Sequence, residues 1–391
     1  MPTANNSPTE TSYDLVVVGA GVIGLAIGWR AATRGLATVV LDAETPARGA
    51  THAAAGMLAP VNEVTFGEER LLRLNLEAAR RYPEFVRELE GLTGVDTGYT
   101  PCGTLTVALD RDDAELLRRL HEFQRSLGLE SEWLRASECR RIEPALAPRI
   151  TGGIRSAIDH QVDPRALSRA LADALERSGA ALRANAPVAA LFGDDDRIAG
   201  VELRSGERIG ARHIVVAAGW RSADLAGIPP EAAVPVRPVK GQILRLRATP
   251  RATVPRRVVG TPEVYVVPRA SGEIVIGATV EERGADTTVT AGGVLELLRR
   301  AYEVLPGIEE LELVEASAGL RPASPDNAPI AGASTLPGLI WATAHWRNGI
   351  LLAPITAAAV VDPLLGDPAP DEMAPFTPAR FAPTVAEGVS P

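Results

Sequence analysis

The sequence predicts an α/β protein of two domains: a discontinuous nucleotide-binding domain on a parallel sheet, and a second α+β domain built on an antiparallel sheet. Three observations carry this. A β-branched apolar run, Tyr13 to Val18, leads straight into Gly19-Ala20-Gly21-Val22-Ile23-Gly24 and then a helical pattern. From Val234 to Ala278 strand follows strand with turn residues between. A glycine-bearing strand-to-helix turn returns near Arg347, so the first domain is completed late in the chain with the antiparallel part inserted into it.

The elements follow in order. The first helix runs to about Thr33, Arg34-Gly35 stops it, and Ala37 to Leu41 makes a second strand ending in Asp42, a complete Rossmann-like βαβ unit. Amphipathic helices are expected at about Glu68 to Leu92 and Asp112 to Leu127, with a strand at Gly103 to Ala108. Asp163-Pro164 supplies an N-cap and a proline at the first helical position, opening a helix to about Ser178. The antiparallel segment holds strands at Gly241 to Leu246, Val264 to Val267 and Glu273 to Gly277. A helix near Gly292 to Val304, strands around Leu313 to Ala318 and Gly338 to Ala342, and a helix from Asn348 complete the chain. The expected division is 12–92, 150–224 and 318–366 for the nucleotide domain, 93–149 and 225–317 for the second, and a Pro-rich tail, 367–391, along the surface or disordered.

Composition narrows the function. The chain has 391 residues, 46% hydrophobic and 23% charged, as a folded protein with ample core would. A net charge of −9 argues against nucleic-acid binding, which needs clustered positive charge. Lys240 is the only lysine, so the positive charge is nearly all arginine. Two cysteines and five histidines at no ligand spacing give no disulfide framework and no metal site, and fit a reducing cytoplasm. The first twelve residues lack an apolar h-region, and the apolar stretches Leu15 to Trp29 and Gly349 to Val361 fall short of the roughly 20 residues that span a bilayer, so neither secretion nor membrane insertion is expected.

The chemistry starts at the glycine turn. Gly19 permits the tight turn, Gly21 lets backbone approach a pyrophosphate, and Gly24 lets helix and strand pack closely. The helix N-terminus offers N–H donors to phosphate, and Asp42 at the next strand end is placed to accept from ribose hydroxyls. A dinucleotide is therefore expected, NAD or FAD. The small-residue run from Arg48 to Pro60 would let backbone pass close to a large planar ligand. Arg321 before Pro322 could aim a bidentate cation at a carboxylate, a surface ion pair being the competing reading. Tyr265 is either core or a hydroxyl directed at the same group. Arg347, just before a helix start, is either structural or a partner for negative charge.

These segments resemble the D-amino-acid-oxidase family of FAD-dependent oxidoreductases, on its glycine-oxidase branch. The matching stretches are Val18 to Gly24, Ala53 to Pro60, Asp159 to Pro164, Pro238 to Gly241, Tyr265 to Arg269, Ile276 to Thr279, Gly319 to Pro322 and Arg347 to Pro354, spread over nearly the whole chain. The resemblance implies an FAD-binding domain beside a substrate domain. FAD would be held noncovalently by Gly19, Gly21, Val22, Ile23, Gly24, Asp42, Ala43, Ala50, Thr51, Ala55, Gly56, Met57, Val188, His345, Trp346, Arg347, Asn348, Gly349, Ile350 and Leu351. Arg321 and Tyr265 would hold the amino-acid carboxylate, and Arg347 is the third catalytic candidate, at a helix start that could stabilise negative charge on the reduced flavin.

The implied reaction is oxidative deamination of glycine, and also of sarcosine and small D-amino acids. Hydride passes from the substrate α-carbon to the flavin, and O2 reoxidises it to give H2O2. The imine product would go to thiazole synthase in thiamine biosynthesis. A dehydrogenase of D-amino acids or methylated glycines, using an acceptor other than oxygen, is the alternative. Oligomeric state is open, a homo-oligomer included. Two features depart from family pattern. His52 precedes Gly56 by one residue more than the histidine that carries covalent FAD in related dehydrogenases, so a plain loop histidine is expected. Ala323-Ser324-Pro325-Asp326-Asn327 differs from the commoner turn after Arg321-Pro322, which bears on substrate preference.

Overall fold

The computed structural model describes residues 12–194, 196–249 and 252–381. Its first strand, Ser12–Val18, is a buried parallel strand at the heart of one sheet. Leu15 and Val17 face one side and Val16 and Val18 the other, all buried, because both faces are covered. The parallel neighbours run in the order Leu339–Thr343, Arg208–Val216, Ser12–Val18, Thr38–Leu41 and Ala181–Arg183, with Ile330–Ala333 antiparallel at one edge. Helices Val22–Thr33, Glu69–Thr93, Pro164–Arg177 and Gly349–Val361 pack together on one face. The last is apolar all round and buried along nearly its whole length, as a central helix must be.

The opposite face is covered by a meander, Val188–Asp194 and Arg197–Leu203 leading antiparallel into Arg208–Val216. Sequence periodicity had not marked this meander. Glycines at 193, 200 and 210 interrupt it, and in Val188–Asp194 only Leu191 is buried.

The second sheet has the order Glu312–Ala323, Arg237–Arg247, Glu273–Gly277, Tyr265–Pro268, Val258–Gly260, Thr104–Ala108, Gly152–Ser156 and Ser131–Arg135. All pairings are antiparallel except that between Val258–Gly260 and Thr104–Ala108. Two expected boundaries therefore move. Gly152–Ser156, assigned from sequence to the nucleotide domain, pairs with Thr104–Ala108 instead. Glu312–Ala323 pairs with Arg237–Arg247 along its length, so Arg321 belongs to the second sheet and not to a domain segment beginning at 318.

The tail is corrected as well. Up to Phe381 it folds into two short 3-10 turns, Met373 and Phe376 bury into the first core, and Arg380 pairs with Asp326 at 2.9 Å. Its remainder, 382–391, lies outside the described residues. Among the described residues no helix is long and apolar enough to cross a membrane.

Candidate active site

A cavity of about 1320 Å³ lies where the C-terminal ends of the first sheet's parallel strands meet the second sheet. This is the place α/β sheets reserve for ligands, because strand ends and helix N-termini point their free backbone groups there.

At one end is the glycine turn. Gly19 has φ +104, and a Cβ there would also strike the Ala217 backbone. A Cβ on Gly24 would strike the Gly19 carbonyl, so Gly24 serves helix–strand packing and does not line the cavity, against the expectation that it touches cofactor. Gly21 differs from both. A Cβ there would meet only Thr51 Oγ1, at an ordinary 3.4 Å, so the chain itself does not require glycine at this position. The Val22 N–H donates to Thr51 Oγ1 at 3.1 Å, tying the helix start to the 50–53 turn.

Asp42 accepts from Ala20 N at 2.7 Å and from Glu44 N at 2.9 Å. Burial pushes its carboxyl up and these two bonds oppose the rise. Both oxygens are thereby oriented and keep lone pairs for a hydroxyl donor. Ala43, Ala50, Thr51, Ala55, Gly56, Met57 and Val188 line the same cavity, as do Val22 and Ile23.

The run from 49 to 57 is held by three arginines that sequence reasoning missed. Arg245 donates to the carbonyls of His52 and Ala54 at 3.2 and 3.3 Å, Arg165 to that of His52 at 3.2 Å, and Arg269 to that of Ala55. Arg269 is clamped in turn by Gln161 Oε1 at 2.7 Å. A signal was present, since Gln161 and Arg269 fall in two of the matching stretches, but their contact spans 108 positions. His52 is the one residue between Gly49 and Met57 that does not line the cavity.

At the other end lie Arg321 and Tyr265. Each overlies a glycine: a Cβ on Gly241 would collide with the Arg321 guanidinium, and one on Gly277 with the Tyr265 ring and hydroxyl. The missing side chains on neighbouring strands make the room. Arg321 Nη1 donates to the Thr279 carbonyl at 3.0 Å and the Lys240 carbonyl at 3.4 Å. Among the described residues it has no ion pair. Burial raises the Tyr265 hydroxyl, with Arg321 pulling the other way, so it is a neutral donor at pH 7.

The segment before the last helix completes the wall. Ala344 and Trp346 both have left-handed backbone, φ +58 and +49, a strained conformation that turns 345–347 towards the cavity. Trp346 N donates to the Pro322 carbonyl at 2.9 Å, and His345 Nε2 lies 3.0 Å from Thr356 Oγ1. His345, Trp346, Arg347, Gly349 and Ile350 line the cavity. Asn348 and Leu351 do not: Asn348 precedes the helix with its N–H on the His345 carbonyl, and Leu351 faces the first core. Arg347 is ion-paired, its Nε 2.9 Å from Glu63 and its Nη2 3.6 Å from Glu68. Glu63, also a wall residue, was not anticipated from sequence. Among the described residues no group of His, Cys, Asp and Glu is arranged to hold a metal ion.

A βαβ glycine turn and an acid at the second strand end, opening on an arginine-bearing second sheet, are the features of a dinucleotide-dependent oxidoreductase. The chain belongs to the DAO family, described as FAD dependent oxidoreductase, which it matches over residues 14–362. The bifunctional protein ThiO/ThiG of Trichormus variabilis is 37% identical over 374 residues, 94% of this chain and 55% of that protein. The chain thus spans about half the length of that relative. The glycine oxidase of Geobacillus kaustophilus is 34% identical over 94% of this chain and 97% of its own. The crystal structure of that enzyme superposes with a TM-score of 0.88, covering 95% of this chain and 99% of the other. Iminodiacetate oxidase from Chelativorans superposes at 0.84 with 28% identity, covering 93% and 98%.

Proposed function

We propose that the protein is an FAD-dependent amino-acid oxidase that deaminates glycine, and also sarcosine and small D-amino acids. The observation that carries this reading is Arg321, a guanidinium without an ion-pair partner among the described residues, set beside the Tyr265 hydroxyl in the same cavity as the glycine turn.

The residues present fit FAD. The cavity, about 1320 Å³, is larger than a small amino acid alone would need, and Gly21 is open in a way that protein packing does not explain. Gly19, Gly21 and Val22 would cradle the pyrophosphate, Asp42 the ribose, and the arginine-clamped 49–57 run and the 345–350 turn the ring. When bound, the flavin supplies a two-electron acceptor that O2 returns to its oxidised form with release of H2O2. A noncovalent cofactor accords with His52 lying off the cavity wall.

The chain's own work is positioning. The Arg321 fork meets both oxygens of the substrate carboxylate, and Tyr265 donates to the same group, which fixes the α-carbon and its C–H direction. The Thr279 and Lys240 carbonyls hold the fork in plane, so little side-chain freedom is lost on binding. Apolar walls from Ile243, Val258 and Met57 keep water from the reacting carbon.

For glycine the balanced outcome is glyoxylate, ammonia and H2O2 from glycine, O2 and water. Release of the imine to thiazole synthesis accords with relatives named for two activities on one chain. Two free cysteines accord with a reducing cytoplasm. The deciding experiment is a peroxide assay under air with glycine, sarcosine and D-alanine. Peroxide in proportion to substrate is expected. Dye reduction without peroxide would move the protein to the dehydrogenases, and activity with none of the three would sink the reading.

A further inference from the structure

The wall of the substrate end carries two arginines, but their electrostatic states differ. Arg321 has no carboxylate partner among the described residues and bonds only backbone carbonyls. Arg347 has its Nε 2.9 Å from the Glu63 carboxylate, and its Nη2 bonds the Glu63 carbonyl and Thr65 Oγ1, each at 2.9 Å. Glu68 approaches the same guanidinium at 3.6 Å from outside the cavity wall. Glu63 itself lines the cavity and its side chain is 18% exposed.

Glu63 is also firmly placed. Asp159, fully buried, accepts from Val61 N at 3.0 Å, Asn62 N at 2.9 Å and Thr104 Oγ1 at 2.9 Å, which pins the backbone immediately before it. A second acid on the wall, Glu263, is paired with Arg300 at 2.5 Å and is not a free cation's partner in the pocket.

We propose that Glu63 is a specificity-determining residue: by occupying Arg347 it leaves Arg321 as the single carboxylate anchor and excludes amino acids that bear a second carboxylate. This rests on the amino-acid oxidase reading and says which members of that substrate class the site refuses. A dicarboxylate held at Arg321 would bring its second anion towards a stretch of wall where Arg347 is already ion-paired and the Glu63 carboxylate stands beside it. Like charges at that range disfavour binding in proportion to how little water screens them. Burial raises the Glu63 carboxyl while Arg347 and Arg321 oppose the rise, so the test belongs at pH 8, well above the ordinary carboxylate range.

The test uses the flavin-loaded enzyme. Sarcosine and iminodiacetate differ by a carboxylate in place of a hydrogen on the N-methyl group, so their kcat/KM ratio reads the second charge. Glu63→Gln is expected to shift that ratio towards iminodiacetate by at least tenfold, and Glu63→Asp, which keeps the charge, to shift it much less. A Glu63→Gln enzyme with normal flavin content and an unchanged ratio overturns the proposal. Should that variant fail to load flavin, the wild type decides by itself through ligand-induced changes in the flavin spectrum. Malonate is expected to bind no more tightly than acetate, and malonate binding ten times tighter overturns the proposal. If the wild type oxidises none of the amino acids, the oxidase reading has failed, while the acetate and malonate comparison still decides the role of Glu63.

Discussion

Arg321 and Gly21 are the positions where single atoms decide most. Removing one side of a buried charge-assisted pair typically costs about 2–5 kcal/mol, so Arg321→Ala is expected to lower kcat/KM for glycine at least tenfold. Flavin content should stay normal, because no hydrogen bond of Arg321 reaches the glycine turn. Arg321→Lys should recover little, since an ammonium cannot reproduce a fork held by two carbonyls. A variant that keeps its flavin and its kcat/KM would remove Arg321 from the site. Gly21→Val makes the complementary test. Only Thr51 Oγ1 lies within reach of a Cβ there, so the protein should fold while its flavin absorbance is lost. Wild-type flavin occupancy in that variant would mean the turn is not the phosphate site.

His345 adds a pH dependence. Burial lowers its pKa to about 3, so the folded state keeps the ring neutral while the unfolded chain protonates it below about pH 6.5. Stability is therefore lost as pH falls from 6.5 towards 3, by about 1.5 kcal/mol between pH 6.5 and 5. Asp159, raised to about 6 by burial, acts in the opposite sense over pH 6 to 4. Denaturant unfolding at the two pH values should thus show a shallower acid loss in His345→Asn than in the wild type. Parallel losses would contradict a neutral buried ring.

At the scale of elements, the last helix shows how a local rule is broken and repaired. Pro354 lies inside Gly349–Val361 and has no N–H to give the Ile350 carbonyl one turn back. The Tyr82 hydroxyl, from the long helix Glu69–Thr93, donates to that carbonyl at 3.1 Å. Tyr82→Phe should therefore leave a buried acceptor unpaired and cost about 1–3 kcal/mol in urea unfolding, more than loss of a surface hydroxyl would. No measurable change would show that water or helix adjustment serves instead. The helix ends themselves were readable in sequence, as Asp163 shows, its carboxylate accepting from Arg165 N at 2.8 Å. The strand Ser131–Arg135 was not readable, since only Leu134 in it is buried and no alternation marks it.

At the scale of the whole molecule, the cavity is walled by both sheets, so a bound flavin should bind folded protein far better than unfolded chain. Free FAD at about 100 times its Kd should add about 2.7 kcal/mol and raise Tm measurably over the apoprotein. Heat should then release the flavin into the supernatant, as His52 lies off the cavity wall. Colour retained in the pellet would establish a covalent bond, and equal Tm values for apoprotein and holoprotein would deny that the cavity is the flavin site.

What the sequence determined by itself is local: the βαβ unit, the helices with their caps, and the glycine turn. Each is set by period, sterics and hydrogen bonds among residues a few positions apart. It also made Arg321 and Tyr265 candidates through their surrounding stretches. Tertiary structure decided everything that needs distant strands to meet. It moved Arg321 into the second sheet, put Gly241 and Gly277 beneath Arg321 and Tyr265, and brought Arg165, Arg245 and Arg269 onto the 49–57 backbone. It also set Glu63 against Arg347, 284 positions apart. Such pairs leave no local trace, because a charge on a loop reads the same whether it meets water or, across the folded cavity, its partner.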